Sequence, residues 1–190
     1  TADNKLYLDA REKYQKEFIS HFPEQLDENY VTFTADFFPI GGQYEFSIIF
    51  QYKESSFQQI VDTLTSNCIA KYGANDPCLF VVNRFSKISN YFNVQITDEE
   101  RNLINLACYE GKYPVSNFYV YNIELNGKET VCNLPERYDI YIIEAKKGNF
   151  DQQNKLRPNE FMPSNWKNGM SRGYAIDESH KTIIFWLVIW

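Results

Sequence analysis

The chain has 190 residues, a net charge of −6 and 44% hydrophobic residues, which is enough for one domain with a substantial core. Phosphate binding needs a basic face, so the acidic charge argues against nucleic acid as a partner. The longest uninterrupted apolar stretch lies within residues 182–190, far below the roughly 20 residues of a membrane span. No linker-like segment divides the chain. Residues 1–190 are therefore predicted to form a single globular domain without a transmembrane segment.

The N-terminal quarter predicts a helix followed by two strands. Apolar side chains recur every four residues across 4–20, which is typical of an amphipathic helix that stops before Pro23. Residues 31–36 and 44–53 are rich in β-branched and aromatic side chains. That composition predicts strands.

A capping box marks the start of a second helix. Ser55 and Gln58 have the spacing of this motif, in which two side chains and two backbone N–H groups satisfy each other. An apolar stripe then continues to Tyr72, and Gly73 can adopt the left-handed conformation that ends a helix. The sequence therefore predicts a helix over 55–73.

The middle of the chain predicts two short strands and a third helix. Residues 79–85 have the composition of a buried strand, and 91–96 have a weaker strand pattern. Thr97 and Glu100 form a second capping box, which opens a short helix that ends near Gly111.

The C-terminal part predicts antiparallel strands. Asn126-Gly127 favours a type I′ turn within a hairpin over 118–134. Residues 138–145 predict another strand, and 172–177 with 182–190 predict a closing hairpin. Helices followed by antiparallel strands indicate an α+β fold: a mostly antiparallel sheet, with helices from the N-terminal half packed on it.

The last nine residues are apolar on both faces of the predicted strand. A strand directs alternate side chains to opposite faces, and here every side chain from Ile183 to Trp190 is apolar. We therefore expect the C-terminal strand to be central in the sheet and covered on both sides.

The four cysteines suit either disulfides or buried thiols. Two local pairings are feasible from the predicted elements, Cys68 with Cys78 and Cys108 with Cys132. Cysteine also behaves as a small hydrophobic residue when it is unpaired. No CxxC motif or Cys/His cluster is present, so no metal site is predicted, and no cofactor motif is found either.

Residues 169–173 match the G-x-S-x-G pattern of a hydrolase nucleophile, and Asp177 and His180 follow it. That site requires a strand before Ser171 and a helix after it, whereas here a loop precedes and a strand follows. We therefore predict no catalytic residues. Asp139 and Glu144 stand out as carboxylates in an apolar strand, with solvation at the strand ends as the simpler explanation.

The segment 146–171 is the predicted recognition surface. It is 26 residues long without periodicity and carries a local charge of +3 among aromatic residues. Long irregular loops in compact domains are often functional. The expected ligand- or partner-binding residues are Trp166, Arg172, Lys167, Phe161 and Arg157. The alternative is that Trp166 fills the core and the basic residues are solvated.

Three stretches resemble uncharacterised small exported proteins and predicted lipoproteins of gut bacteria. They are residues 166–176 (WKNGMSRGYAI) with 183–186 and Trp190, residues 21–26 (HFPEQL), and residues 141–148 (YIIEAKKG). The resemblance implies a location at the cell envelope, exported, periplasmic or lipid-anchored, and a leader removed before Thr1. It implies no activity, cofactor or catalytic residue.

The leading hypothesis is a non-enzymatic exported or periplasm-facing domain that binds an unknown protein or a small anionic or carbohydrate ligand. It depends on the even cysteine count, the 17% aromatic content and the missing catalytic pattern. One alternative is a hydrolase-type enzyme with a site assembled from scattered polar residues. Another is an acidic inhibitor or immunity-type protein that covers a basic target.

Overall fold

The computed structural model describes residues 2–35, 42–84, 97–118, 130–153 and 156–190. These residues form an α+β unit built on a six-stranded antiparallel sheet, as the sequence predicts. The strands are β1 (Tyr30–Ala35), β2 (Tyr44–Gln51), β3 (Ala70–Gly73), β4 (Asp139–Lys147), β5 (Gly169–Asp177) and β6 (Thr182–Ile189). Their order across the sheet is β1-β2-β6-β5-β4-β3.

The described helices are α1 (Ala2–Arg11), α2 (Glu54–Thr65) and α3 (Asp98–Leu103), with 3₁₀ turns at Ala107–Tyr109 and Ser164–Trp166. Helix α1 is shorter than the predicted 4–20. Beyond it the chain folds back, because Arg11 Nη1 donates a hydrogen bond to the carbonyl oxygen of Phe22 (3.3 Å) and Tyr7 Oη donates one to that of Pro23 (2.6 Å). Phe18 is still buried, although it lies outside the helix.

The predicted helix over 55–73 is wrong at both ends. Helix α2 begins at Glu54 with Lys53 at the N-cap, and no side chain caps it, so the expected Ser55–Gln58 box does not form. It ends at Thr65, and Ala70–Gly73 becomes strand β3. The apolar stripe that continues to Tyr72 would also permit a helix longer than the observed α2. Pairing with β4 instead satisfies the backbone groups of these residues in the sheet.

The capping box that opens α3 is confirmed. The Glu100 N–H donates to Thr97 Oγ1 (3.1 Å) and the Thr97 N–H donates to Glu100 Oε2 (3.0 Å).

The strand predicted at 79–85 is wrong where the structure describes it. Residues 79–82 are buried, yet 79 and 80 are irregular, Val81 forms one parallel bridge with Val115, and residues 82–84 form a turn. The predicted strand at 91–96 and the Asn126-Gly127 turn lie outside the described residues.

Strand β6 is central, as predicted, since it pairs with β2 on one side and β5 on the other. Its side chains alternate between two buried clusters. One cluster, the helical face, lies under α1 and α2. The other, the loop face, lies under residues 74–82, 115–118, 132–138 and 162–166. The helical face receives Ile183, Phe185, Leu187 and Ile189, and the loop face receives Ile184, Trp186, Val188 and Trp190.

None of the helices in the described ranges is long and apolar enough to cross a membrane.

Candidate ligand-binding groove

The predicted recognition loop is shorter in the structure. Residues 146–147 belong to β4 and 169–171 to β5. The described residues between these strands lie on both faces of the sheet. Phe150 packs edge-on against Phe18 of the helical face, with ring centroids 5.6 Å apart, whereas Met162 and Trp166 are buried in the loop face.

Trp166 is a core residue, so the expectation that it is an exposed contact is wrong. Only 8% of it is exposed. Its ring lies 5.8 Å from that of Trp190, whose Nε1–H donates to the Trp166 carbonyl oxygen (2.8 Å). The physical reason is that the indole of Trp190 needs both apolar cover and a hydrogen-bond acceptor. Trp166 supplies both.

Arg172 is also engaged within the fold. Its Nε donates to Glu144 Oε2 (3.0 Å), and its Nη1 donates to the carbonyl oxygen of Glu17 (2.6 Å) and to Ser20 Oγ (2.9 Å). The guanidinium therefore ties β4 and residues 17–20 to β5. Its hydrogen-bonding groups are used within the fold, although the sequence predicted Arg172 to bind a ligand or partner.

The other three expected binding residues do not converge on a site. Arg157 is exposed, while Lys167 and Phe161 are half-buried. None of them lines the groove described next. Their binding role stays a prediction.

A groove of about 560 Å³ opens beside the loop-face cluster. Three parts of the chain form it: Phe80, residues 105–113, and residues 163–166 together with Lys147 of β4. Its lining residues are Phe80, Asn105, Leu106, Tyr109, Glu110, Gly111, Lys112, Tyr113, Lys147, Pro163, Asn165 and Trp166.

Three aromatic residues of the groove contact one another. Tyr109 stacks on Phe80, with ring centroids 4.9 Å apart and planes inclined by 16°. Phe80 meets Trp166 edge to face at 6.2 Å. Phe80 and Trp166 are buried, whereas Tyr109 is half-buried. We call these three side chains the aromatic floor.

The margin of the groove is polar. Asn105, Glu110, Lys147 and Asn165 are all exposed residues. The Nζ atom of Lys147 lies 5.1 Å from the centroid of the Trp166 ring, a cation–π arrangement. Within the described ranges no carboxylate pairs with Lys147.

Lys112, by contrast, stabilises the side of the groove formed by residues 105–113, which we call the groove wall. Its Nζ donates to Asp76 Oδ2 (2.6 Å) and to the carbonyl oxygen of Cys78 (2.9 Å). Burial alone would raise the pKa of Asp76, but the hydrogen bond from Lys112 holds that pKa below its ordinary value. The Asp76 carboxylate therefore stays negatively charged at neutral pH, and its charge offsets that of Lys112.

A disulfide joins Cys78 to Cys108, with Cα atoms 6.1 Å apart. Both predicted local pairings are wrong. Residues 103–113 fold back on 76–80, which sequence spacing could not show. Cys68 and Cys132 remain thiols, and burial raises the pKa of each. The disulfide therefore anchors the groove wall one residue before Tyr109.

The G-x-S-x-G residues do not form a nucleophile site. Ser171 is buried within β5, and Asp177 lies at the opposite end of that strand. Asp177 instead organises the β5–β6 turn, where it contacts Arg137, Ser179 and His180.

The carboxylates singled out by the sequence are paired. Asp139 contacts Lys71 at 2.8 Å. Burial alone would raise the pKa of Glu144, but the hydrogen bond from Lys146 and the charge of Arg172 hold that pKa below its usual value. Among the described residues, no group of three or more His, Cys, Asp or Glu could hold a metal ion.

Most of the groove lies outside the segment predicted to bind. Four of its lining residues, Lys147, Pro163, Asn165 and Trp166, lie in the segment predicted to bind. Two tyrosines near Cys108, Tyr109 and Tyr113, were the one sequence feature that could have indicated the groove wall. Its position opposite Trp166 depends on long-range folding.

Comparison of the chain with protein-family models, with curated proteins and with solved structures gave no match.

Proposed function

We propose that this chain is a non-enzymatic binding domain whose ligand occupies the groove. The observation that carries the proposal is the groove itself, with a volume of about 560 Å³, an aromatic floor and a polar margin. Small-molecule sites are typically clefts of roughly 300–1,000 Å³ with apolar linings and a few polar groups that fix orientation.

The groove is also held in place before any ligand binds. The Cys78–Cys108 disulfide and the Lys112–Asp76 ion pair both connect residues 103–113 to 76–80. A preorganised wall loses little conformational entropy on binding. This rigidity supports a binding role.

The state of two acidic groups argues against one form of the hydrolase alternative, in which either of them acts as a general acid. A general acid at neutral pH needs a raised pKa. Glu144 and Asp177 instead have pKa values below their ordinary ones. In both cases burial opposes this shift, and hydrogen bonds, from Lys146 to Glu144 and from Ser179 to Asp177, outweigh it.

We further propose that the domain is exported or periplasm-facing. The disulfide between Cys78 and Cys108 supports this location, since disulfides persist in oxidising compartments and are rare in the cytosol.

Binding can be tested by NMR with a diverse fragment library that includes neutral, anionic and cationic members. We expect hits to shift the backbone amide signals of residues 105–113 and 163–167 more than those of β1 and β2. The variant Tyr109→Ala removes part of the aromatic floor and should weaken these hits at least fivefold.

Tyr30→Ala is the matched control, because Tyr30 is another half-buried tyrosine but lies on β1, at the far side of the sheet. It should leave the hits unchanged. Fragments that bind only outside the groove, or hits insensitive to Tyr109→Ala, would reject the proposal.

A further inference from the structure

We propose that the groove binds a saccharide that carries a carboxylate, such as a uronic-acid-containing oligosaccharide. This inference rests on the proposed binding function and assigns the chemical class of its ligand. Three features of the groove carry it: the aromatic floor, the amide-bearing margin and the ammonium group of Lys147, with which no carboxylate of the described residues pairs.

The aromatic floor requires a ligand with an apolar surface. Phe80, Tyr109 and Trp166 line the same groove and contact one another through stacked and edge-to-face packing. Aromatic side chains contribute large contact areas with few rotatable bonds. One face of a pyranose ring presents C–H groups and can pack against Tyr109, the half-buried ring that stacks on Phe80, whereas Phe80 and Trp166 are themselves buried.

The margin requires a ligand with hydrogen-bonding groups around its edge. Asn105 and Asn165 line the groove from opposite segments, and both are exposed. Each amide offers donors and acceptors, which match hydroxyl groups that are both. A purely apolar ligand would leave these amides without the hydrogen bonds that water gave them, which is unfavourable.

The charges leave one lysine of the groove for a carboxylate. Lys112 is neutralised by Asp76 at 2.6 Å, and Glu110 adds a negative charge to the margin. Lys147 is left as the lining cation that no described carboxylate pairs with. A single ammonium beside an aromatic ring suits one carboxylate. A phosphate-rich ligand would need a cluster of basic groups.

The test is a calorimetric titration with two defined probes, tri-galacturonic acid and a glucuronic-acid-containing hyaluronan tetrasaccharide. The fully methyl-esterified tri-galacturonate serves as a neutral analogue. We expect at least one acidic probe to bind and the ester to bind at least fivefold more weakly than its acid. Which probe binds distinguishes the two sources of the uronic acid.

Lys147→Gln should weaken the acidic probe by the same factor and leave the ester unchanged. Lys146→Gln is the matched control: the adjacent residue on β4 pairs with Glu144 at 2.5 Å and does not line the groove. It should bind the acidic probe like the unmodified chain. The same titrations in the Tyr109→Ala variant should show weaker binding of both forms.

Binding of fragments in the groove without binding of either acidic probe would overturn the saccharide assignment and leave the proposed function standing. Equal affinity for acid and ester, or an unchanged affinity in Lys147→Gln, would overturn the role of the charge. If neither fragments nor saccharides bind in the groove, both proposals fail.

Discussion

The residues whose types best fit a binding surface are used to build the fold. Tryptophan and arginine dominate binding interfaces because both combine contact area with directed hydrogen bonds. The same properties make them effective inside a protein. Trp166 covers Trp190 and accepts its indole hydrogen bond, and Arg172 connects three segments of the chain. Residue type alone does not separate these two roles.

His21 shows how a local environment sets a residue's chemistry. Its ring packs against Phe22 and Tyr174, with centroids 4.5 and 5.7 Å away, and its Nε2 lies 3.1 Å from the Trp186 carbonyl oxygen. Burial, with a smaller contribution from the charge of Arg172, lowers the pKa of His21 to about 3.

This shift predicts an acid-sensitive stability. In the unfolded chain His21 takes up a proton near pH 6.5, whereas in the folded protein it stays neutral down to about pH 3. The unfolded state therefore binds more protons in this window, and the free energy of unfolding falls as the pH drops. The loss is at most about 1.4 kcal/mol per pH unit. Urea unfolding between about pH 7 and pH 5 measures it.

His21→Gln should flatten this dependence between about pH 5 and pH 6.5, above the range in which carboxylates titrate. His180→Gln, a change at an exposed histidine of the β5–β6 turn, should retain it. An unchanged pH dependence in His21→Gln would contradict this prediction, because it would mean that His21 has the same charge in the folded and the unfolded protein.

At the level of elements, the hydrophobic periodicity of a segment predicts its helix or strand correctly where tertiary contacts favour the same structure. Strands β4, β5 and β6 follow their predicted positions because their apolar runs are long and flanked by turn residues. Beyond Thr65 the apolar residues keep the spacing of a helix. Residues 70–73 nevertheless form a strand, because they pair with β4.

The groove wall is a distinct part of the structure, and the Cys78–Cys108 disulfide attaches it covalently to residues 76–80. The bond closes a loop with a sequence separation of 30, for which loop-closure entropy predicts a contribution of about 3–4 kcal/mol to stability. We expect the double variant Cys78→Ser/Cys108→Ser to lose up to this amount. Amide hydrogen exchange should rise more in residues 105–113 than in β5 and β6.

Cys68→Ser is the control for this experiment, because Cys68 is a thiol outside the groove. It should leave exchange in residues 105–113 unchanged. If these residues exchange equally with and without the disulfide, the wall is held by other contacts, among them the Lys112–Asp76 pair.

For the whole molecule, β6 is the structural centre. It pairs with β2 and β5, and its side chains belong to both hydrophobic clusters. Without it the sheet would divide into β1-β2 and β5-β4-β3. Strand β6 therefore joins the two parts of the sheet and contributes side chains to both clusters.

Deleting residues 185–190 should abolish folding. All six side chains are buried, and each contributes about 1.5–3 kcal/mol. Their sum reaches or exceeds a typical domain stability of about 5–15 kcal/mol. Thermal unfolding followed by circular dichroism should show no cooperative transition in the truncated chain.

Leu6→Ala and Leu8→Ala provide the comparison, since these apolar side chains belong to residues that are 59% and 40% exposed. Both should change stability by less than about 0.5 kcal/mol. A cooperative transition in the truncated chain would contradict the central role of β6.

The sequence by itself determined the α+β class, the antiparallel C-terminal strands and the two-sided burial of residues 183–190. These features follow from short-range periodicity, which hydrophobicity alone reveals. Tertiary structure decided the Cys78–Cys108 pairing, the burial of Trp166 and the position of Tyr109 above Phe80. Each of these depends on contacts between segments far apart in the chain, and no local pattern specifies which distant segment supplies the partner.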